Sequence, residues 1–238
     1  MAHSTLSGRL ARTQQFLKQI VYGGNDGIVT TFAVVSGFAG ASADGTAQIG
    51  ALAVLVFGLA NLFADGVSMG LGEFLSARSQ RKLYQARRGD LQARVRLDPA
   101  EAARDLAAQF ERRGMAPADA ARITACLQGD EGVTTELLMR WSADQPAPAD
   151  GPAGMNGLVT FLAFLLFGSI PLAPYFIHAD GSHNFALSVG ATFVALTALG
   201  LLRSNATGEP VARSVGETVV IGGLCAAIAF GVGHLVGG

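Results

Sequence analysis

The chain has 238 residues, half of them hydrophobic, only 15% charged, with 31 glycines and a formal net charge of −1. That balance is too apolar and too glycine-rich for an ordinary soluble domain, and it carries no basic surplus for a nucleic-acid partner. Cys126 and Cys225 are too few and too far apart for a disulfide framework or a CxxC metal signature.

The first predicted element is a membrane span over 20–41, followed by a second over 47–76. Three more follow over 156–178, 184–202 and 215–236. A helix needs about 20 residues, at ~1.5 Å each, to cross ~30 Å of hydrocarbon. The fold class is therefore all-α: a polytopic membrane protein with five transmembrane helices and a helical insert between helices 2 and 3. The division is 1–76 for helices 1 and 2, 77–155 for the insert and linker, and 156–238 for helices 3 to 5. A short cytoplasmic N-terminus precedes helix 1. That helix is not a cleaved signal peptide, because it is long and contains Asn25 and Asp26.

The basic residues follow the same frame. Arg9, Arg12 and Lys18 precede span 1, residues 78–140 hold twelve more, and Arg203 and Arg213 lie between spans 4 and 5. The remaining loops hold none. This alternation predicts a cytoplasmic N-terminus and insert, with the C-terminus outside.

Within the insert, "SARSQRKLYQARRGDLQARVRLD" continues span 2 as a helix. Asp98 caps a helix opened by Pro99 and stopped by Gly114. Two further helices follow over "APADAARITACLQG" and "GVTTELLMRW", with Leu106, Phe110, Ile123 and Leu127 at helical spacing. "SADQPAPADGPAG" is a linker back to the membrane. Pro171 and Pro174 interrupt span 3. Gly66 with Gly70, and Gly233 with Gly237, form small-xxx-small pairs for close helix packing.

The chemistry concentrates in "NLFADGVSMGLGEFLS", 61–76. Asn61, Asp65, Met69 and Glu73 recur every four residues, so they share one slowly winding helix stripe. Span 1 supplies a partner set: Asn25, Asp26 and Thr30. An intramembrane carboxylate costs about 2.5–3.5 kcal/mol on insertion scales. No Lys or Arg lies at membrane depth to neutralise Asp26 or Asp65, leaving protonation, water or a metal cation. Asp65 and Glu73 are ~12 Å apart along the axis, too far to share one ion. The stripe is a ladder of stations, as a translocation path requires. Oxygen donors with one thioether favour Fe²⁺ or Mn²⁺ over Mg²⁺ or Ca²⁺. His178, His183 and His234 read as interfacial or structural.

These residues also carry a resemblance. "YGGNDGIVTTFAVVSGFAGA" and "NLFADGVSMGLGEFLSARSQ" resemble the vacuolar iron transporter family of Fe²⁺/Mn²⁺ transporters, with looser matches in "GSIPLAPY" and "GETVVIGGLCAAIAFGVG". The resemblance implies a homodimer exchanging Fe²⁺ or Mn²⁺ for protons along a path at the dimer interface. It implies that Asp26, Met69 and Glu73 are transport residues, with Asp65 similar to the family pattern. It implies no permanent cofactor and no enzymatic activity. The family's acidic cytoplasmic metal domain is thinner here: Glu101, Asp105, Glu111, Glu136 and Met139 are the candidates. Glu101 and Asp105 are spaced to chelate on one helix face, in competition with Arg104, Arg112 and Arg113. The expected location is a bacterial inner membrane. The alternatives are an intramembrane aspartyl hydrolase using Asp26 and Asp65, for which "GGND" lacks the second glycine, and a non-transporting scaffold.

Overall fold

A computed structural model describes residues 16–42, 50–127, 129–141, 151–177 and 183–237. Arg9, Arg12, His178 and residues 142–150 of the linker lie outside the described residues. Among the described residues every regular element is helical: α1 (Leu17–Ala41), α2 (Ala51–Leu97), α3 (Pro99–Arg112), α4 (Pro117–Leu127), α5 (Glu131–Trp141), α6 (Ala153–Gly168), a 3₁₀ turn (Ile170–Leu172), α7 (Ala173–Ile177), α8 (Asn184–Thr207) and α9 (Val211–Gly237). The chain divides into two compact units, one of residues 1–74 and 151–238, the other of residues 75–150.

Among the described residues, four stretches are long and apolar enough to cross a membrane: Ala51–Leu97, Ala153–Ile177, Asn184–Thr207 and Val211–Gly237. The expected first span is a helix of 25 residues, long enough at ~1.5 Å per residue. It is not among those four. Lys18, Gln19, Asn25 and Asp26 dilute its apolar content. The protein is thus all-helical and membrane-integral, as expected.

In the first unit, α1 is the central helix and packs against α6, α8 and α9. Glycine sets the spacing. A Cβ on Gly23 would stand 2.6 Å from the Thr160 carbonyl oxygen, and one on Gly27 would run into the Phe164 carbonyl. On the other side, Gly233 leaves no room for a Cβ against the Gly37 carbonyl, and Gly40 none against that of Phe230. Gly237 packs on Ala41 and Gly70 on Gly157. Of the small-xxx-small pairs read from the sequence, Gly70, Gly233 and Gly237 stand where main chains nearly touch, while Gly66 faces the side chains of Phe161, Phe164 and Leu165. The span-3 prolines act as expected. Helix α6 ends at Gly168, the chain tightens into a 3₁₀ turn carrying Pro171, and α7 restarts with Pro174 at its second position.

The turn between α8 and α9 is closed by charge and caps. Gly208 takes a left-handed φ of 74° at the α8 C-terminus. Arg203 pairs at 2.9 Å with both Glu209 and Glu217. The Ser214 hydroxyl donates to the Gly200 carbonyl at 2.8 Å.

The second unit is the expected helical bundle. Asp98 accepts from the Glu101 backbone N–H at 2.8 Å, with Pro99 opening α3. Val95, Ala102, Leu106 and Leu138 form its core, flanked by Phe110, Leu127 and Trp141. Phe110 meets Trp141 edge-on at 4.9 Å, and Arg113 stacks 4.5 Å over the same indole. Arg96 donates to both Glu131 oxygens, at 2.9 and 3.1 Å, which holds that carboxyl below the usual range. The contact is intact at neutral pH and is lost as pH falls through the lowered value. Leu106 is 1% exposed. Leu106→Ala should loosen this core by about 2–4 kcal/mol, read as accelerated hydrogen exchange across α3 and α5 in the full-length protein.

Candidate cation-translocation site

The site is built by α1 and the first part of α2. Two contacts fix their register, and one electrostatic proximity agrees with them. Phe38 meets Phe57 with ring centroids 5.7 Å apart. Asp26 lies within Coulombic range of Asp65. Gln19 Nε2 donates to Glu73 Oε1 at 3.0 Å. As the α1 partner moves from Phe38 back to Gln19, the α2 partner advances from Phe57 to Glu73. The two helices are antiparallel neighbours over the ladder, and both aspartates fall near its middle.

Exposure along α2 explains how a polar stripe is tolerated. Gly58, Leu62, Gly66 and Gly70 are buried. Phe57, Phe63, Val67 and Leu71 are exposed on the outer surface of this single chain. Asn61, Asp65, Met69 and Glu73 are half-buried between these two faces. The stripe therefore runs along the seam beside the packed face. Asn25 and Asp26 are half-buried on α1 in the same way. The Thr30 hydroxyl donates to the Asp26 backbone carbonyl at 2.7 Å, so it leaves the Asp26 carboxylate untouched.

Each station has its own surroundings. Among the described residues, Asn61 is the one polar side chain lining an open cavity of about 910 Å³ between α1, α2 and α9, with Val34, Phe57, Ala64 and Val232 on its walls. Asp65 stands next along the stripe. Met69 packs on the edge of the core formed by Phe32, Leu62 and Phe164. Glu73 takes the Gln19 amide. Sequence reasoning missed Gln19. The signal was available: Gln19 lies seven residues, about two helical turns, before Asp26 and so shares its face.

The insert candidates do not converge. Glu101, Asp105 and Glu111 are solvent-exposed along α3. Glu136 is engaged by the Tyr84 hydroxyl at 3.0 Å and by Arg88 at 3.7 Å. Met139 is 1% exposed, inside the protein core. Among the described residues of one chain, no three His, Cys, Asp or Glu side chains gather around a common point.

The sequence profile of the VIT family matches residues 17–234. The chain belongs to the VIT family. It is 29% identical to a vacuolar iron transporter of Toxoplasma gondii, over 94% of this chain and 75% of that protein. It is 28% identical to vacuolar iron transporter 1 of Oryza sativa subsp. japonica and to vacuolar iron transporter 1 of Arabidopsis thaliana, over 93% of this chain and 86% of each. The match takes in both α1 and α2 with every stripe residue, so this VIT family member carries its polar ladder within the family region. These relatives are eukaryotic and lend no support to the bacterial inner membrane expected from the sequence.

Proposed function

We propose that this VIT family member is a proton-coupled transporter of Fe²⁺ and Mn²⁺, moving metal out of the cytoplasm along the α1–α2 ladder. The observation that carries the reading is the in-phase stripe of Asn61, Asp65, Met69 and Glu73, half-buried along α2 and tied to α1 by the Gln19–Glu73 bond, with Asp26 of α1 close enough to Asp65 to feel its charge. Two carboxylates in Coulombic range at membrane depth are stabilised by a divalent cation or by protons. Either occupant displaces the other, which is the coupling an exchanger needs. The relatives' names, as iron transporters, support iron as the cargo. Met69 supports a softer first-row ion over Mg²⁺. Asn25 and Asn61 supply neutral oxygens beside the acids.

In this reading α1 is the fifth membrane span. Its polar content is that of a helix lining a path rather than facing lipid. The N-terminus and insert are cytoplasmic and the C-terminus lies on the opposite side. The path runs between two copies of the chain. One chain alone supplies Asp26, Asp65 and Met69 along a stripe that flanks an outward apolar face, and a two-fold axis would bring a second set opposite. The exposed Phe57, Phe63, Val67 and Leu71 suit a lipid or subunit contact. The exposed acids Glu101, Asp105 and Glu111 attract cations to the insert, with Glu136 and Met139 available there only after rearrangement. This reading displaces the aspartyl hydrolase and scaffold alternatives, because the matched relatives are named transporters.

The test is metal uptake by the purified protein in vesicles across a pH gradient. Fe²⁺ and Mn²⁺ should move at rates at least about tenfold above Mg²⁺, each accompanied by proton counterflow. Equal rates for all ions, or metal flux with no change in lumenal pH, would contradict it.

A further inference from the structure

The contact between Gln19 and Glu73 has two halves, and only one is made. The Gln19 side chain is buried, 7% exposed. Its amide nitrogen donates to Glu73 Oε1 at 3.0 Å, bridging α1 and α2 across 54 residues of sequence. Its amide oxygen is buried with no hydrogen-bond partner among the described residues. A buried acceptor of this kind is rare in folded proteins and calls for a donor or a positive charge. By covalent geometry that oxygen lies within one amide group of the nitrogen held by Glu73. The uncommitted amide oxygen thus belongs to the same amide group that binds the Glu73 carboxylate, and both oxygens are acceptors. A hard or borderline divalent cation is the chemistry that satisfies both at once.

The location gives this pair a role. Glu73 is the last rung of the stripe, one turn from Met69 and two from Asp65. Gln19 lies ~10.5 Å along α1 from Asp26. The bond closes the α1–α2 seam at the end of the ladder away from Phe38 and Phe57.

We infer that Gln19 is a positioning residue for Glu73, holding its carboxylate at the mouth of the ladder and adding its own amide oxygen to the first station a metal cation meets. The inference rests on the transport reading above. Being neutral, Gln19 cannot exchange a proton for metal. It sets how well the station captures the ion and leaves the exchange step to the acids. Its loss therefore changes the concentration at which transport saturates and leaves the maximal rate nearly intact.

The experiment is initial-rate Fe²⁺ uptake in vesicles for wild type, Gln19→Leu, Glu73→Gln and the double variant. Gln19→Leu should raise KM about tenfold with kcat within about twofold of wild type. The double variant should be no worse than Glu73→Gln alone, because both remove the same station. If Gln19→Leu yields no monodisperse protein, Gln19→Asn retracts the amide by one methylene and carries the same expectation. An unchanged KM overturns the inference, as does a loss confined to kcat, or one that adds in full to that of Glu73→Gln. Failure of wild type itself to move Fe²⁺ would instead sink the transport reading, and this inference with it.

Discussion

Asp26→Asn should lower Fe²⁺ flux by about 100-fold or more while leaving the protein folded. The substitution keeps shape and volume and removes one charge. That charge is half-buried on α1 and coupled to Asp65, in surroundings where a charged partner of a cation is worth several kcal/mol. Losing about 2.7 kcal/mol at the barrier is a 100-fold effect. Among the described residues, no hydrogen bond is made by the carboxylate. Thr30 binds the Asp26 backbone carbonyl, which Asn retains. Stability should hold or rise, since an intramembrane carboxylate costs about 2.5–3.5 kcal/mol to insert. Stopped-flow uptake and the thermal midpoint of the same preparation check both halves. A flux within twofold of wild type would remove Asp26 from the path. A collapse in stability would make it a structural residue.

Gly27→Val is the second large effect, and it acts on the fold. The new Cβ would strike the Phe164 backbone carbonyl, and no rotamer change relieves a clash with main chain. Helices α1 and α6 would have to separate along a seam that Gly23 and Gly168 also keep narrow; a Cβ on Gly168 would lie 2.8 Å from the Gly27 carbonyl oxygen. The cost is about 3 kcal/mol or more, and packing is the main force between helices in lipid. Most of the protein should run as aggregate in gel filtration. The control is Gly72→Ala, where an added Cβ meets nothing within 4 Å and the elution profile should match wild type. Monodisperse Gly27→Val would show that the α1–α6 seam can open.

The helices were legible in the sequence where local chemistry decides them. Asp98 and Pro99 start α3, Pro171 breaks the third span, and four apolar stretches are long enough to cross a bilayer. The stripe was legible because Asn61, Asp65, Met69 and Glu73 repeat at the helical period. What spacing cannot supply is the neighbour. Nothing local tells that Gln19 reaches Glu73, 54 residues away. Nor does composition tell that Glu136 is taken by Tyr84 and Arg88, or that Met139 is inside the protein core. Those follow from how helices pack. Helix α1 shows the same limit from the other side. Asn25 and Asp26, which help keep it from matching the other four in apolar character, are residues the proposed path draws on.

The most direct measurement is anomalous scattering at the iron edge from crystals of the full-length protein grown with Fe²⁺. The account predicts a metal peak between α1 and α2, within coordinating distance of the Asp26 or Asp65 carboxylate and near the Met69 sulfur. A fully occupied peak confined to the insert, or a closed apolar seam between Asp26 and Asp65 in a preparation that transports Fe²⁺, would contradict it.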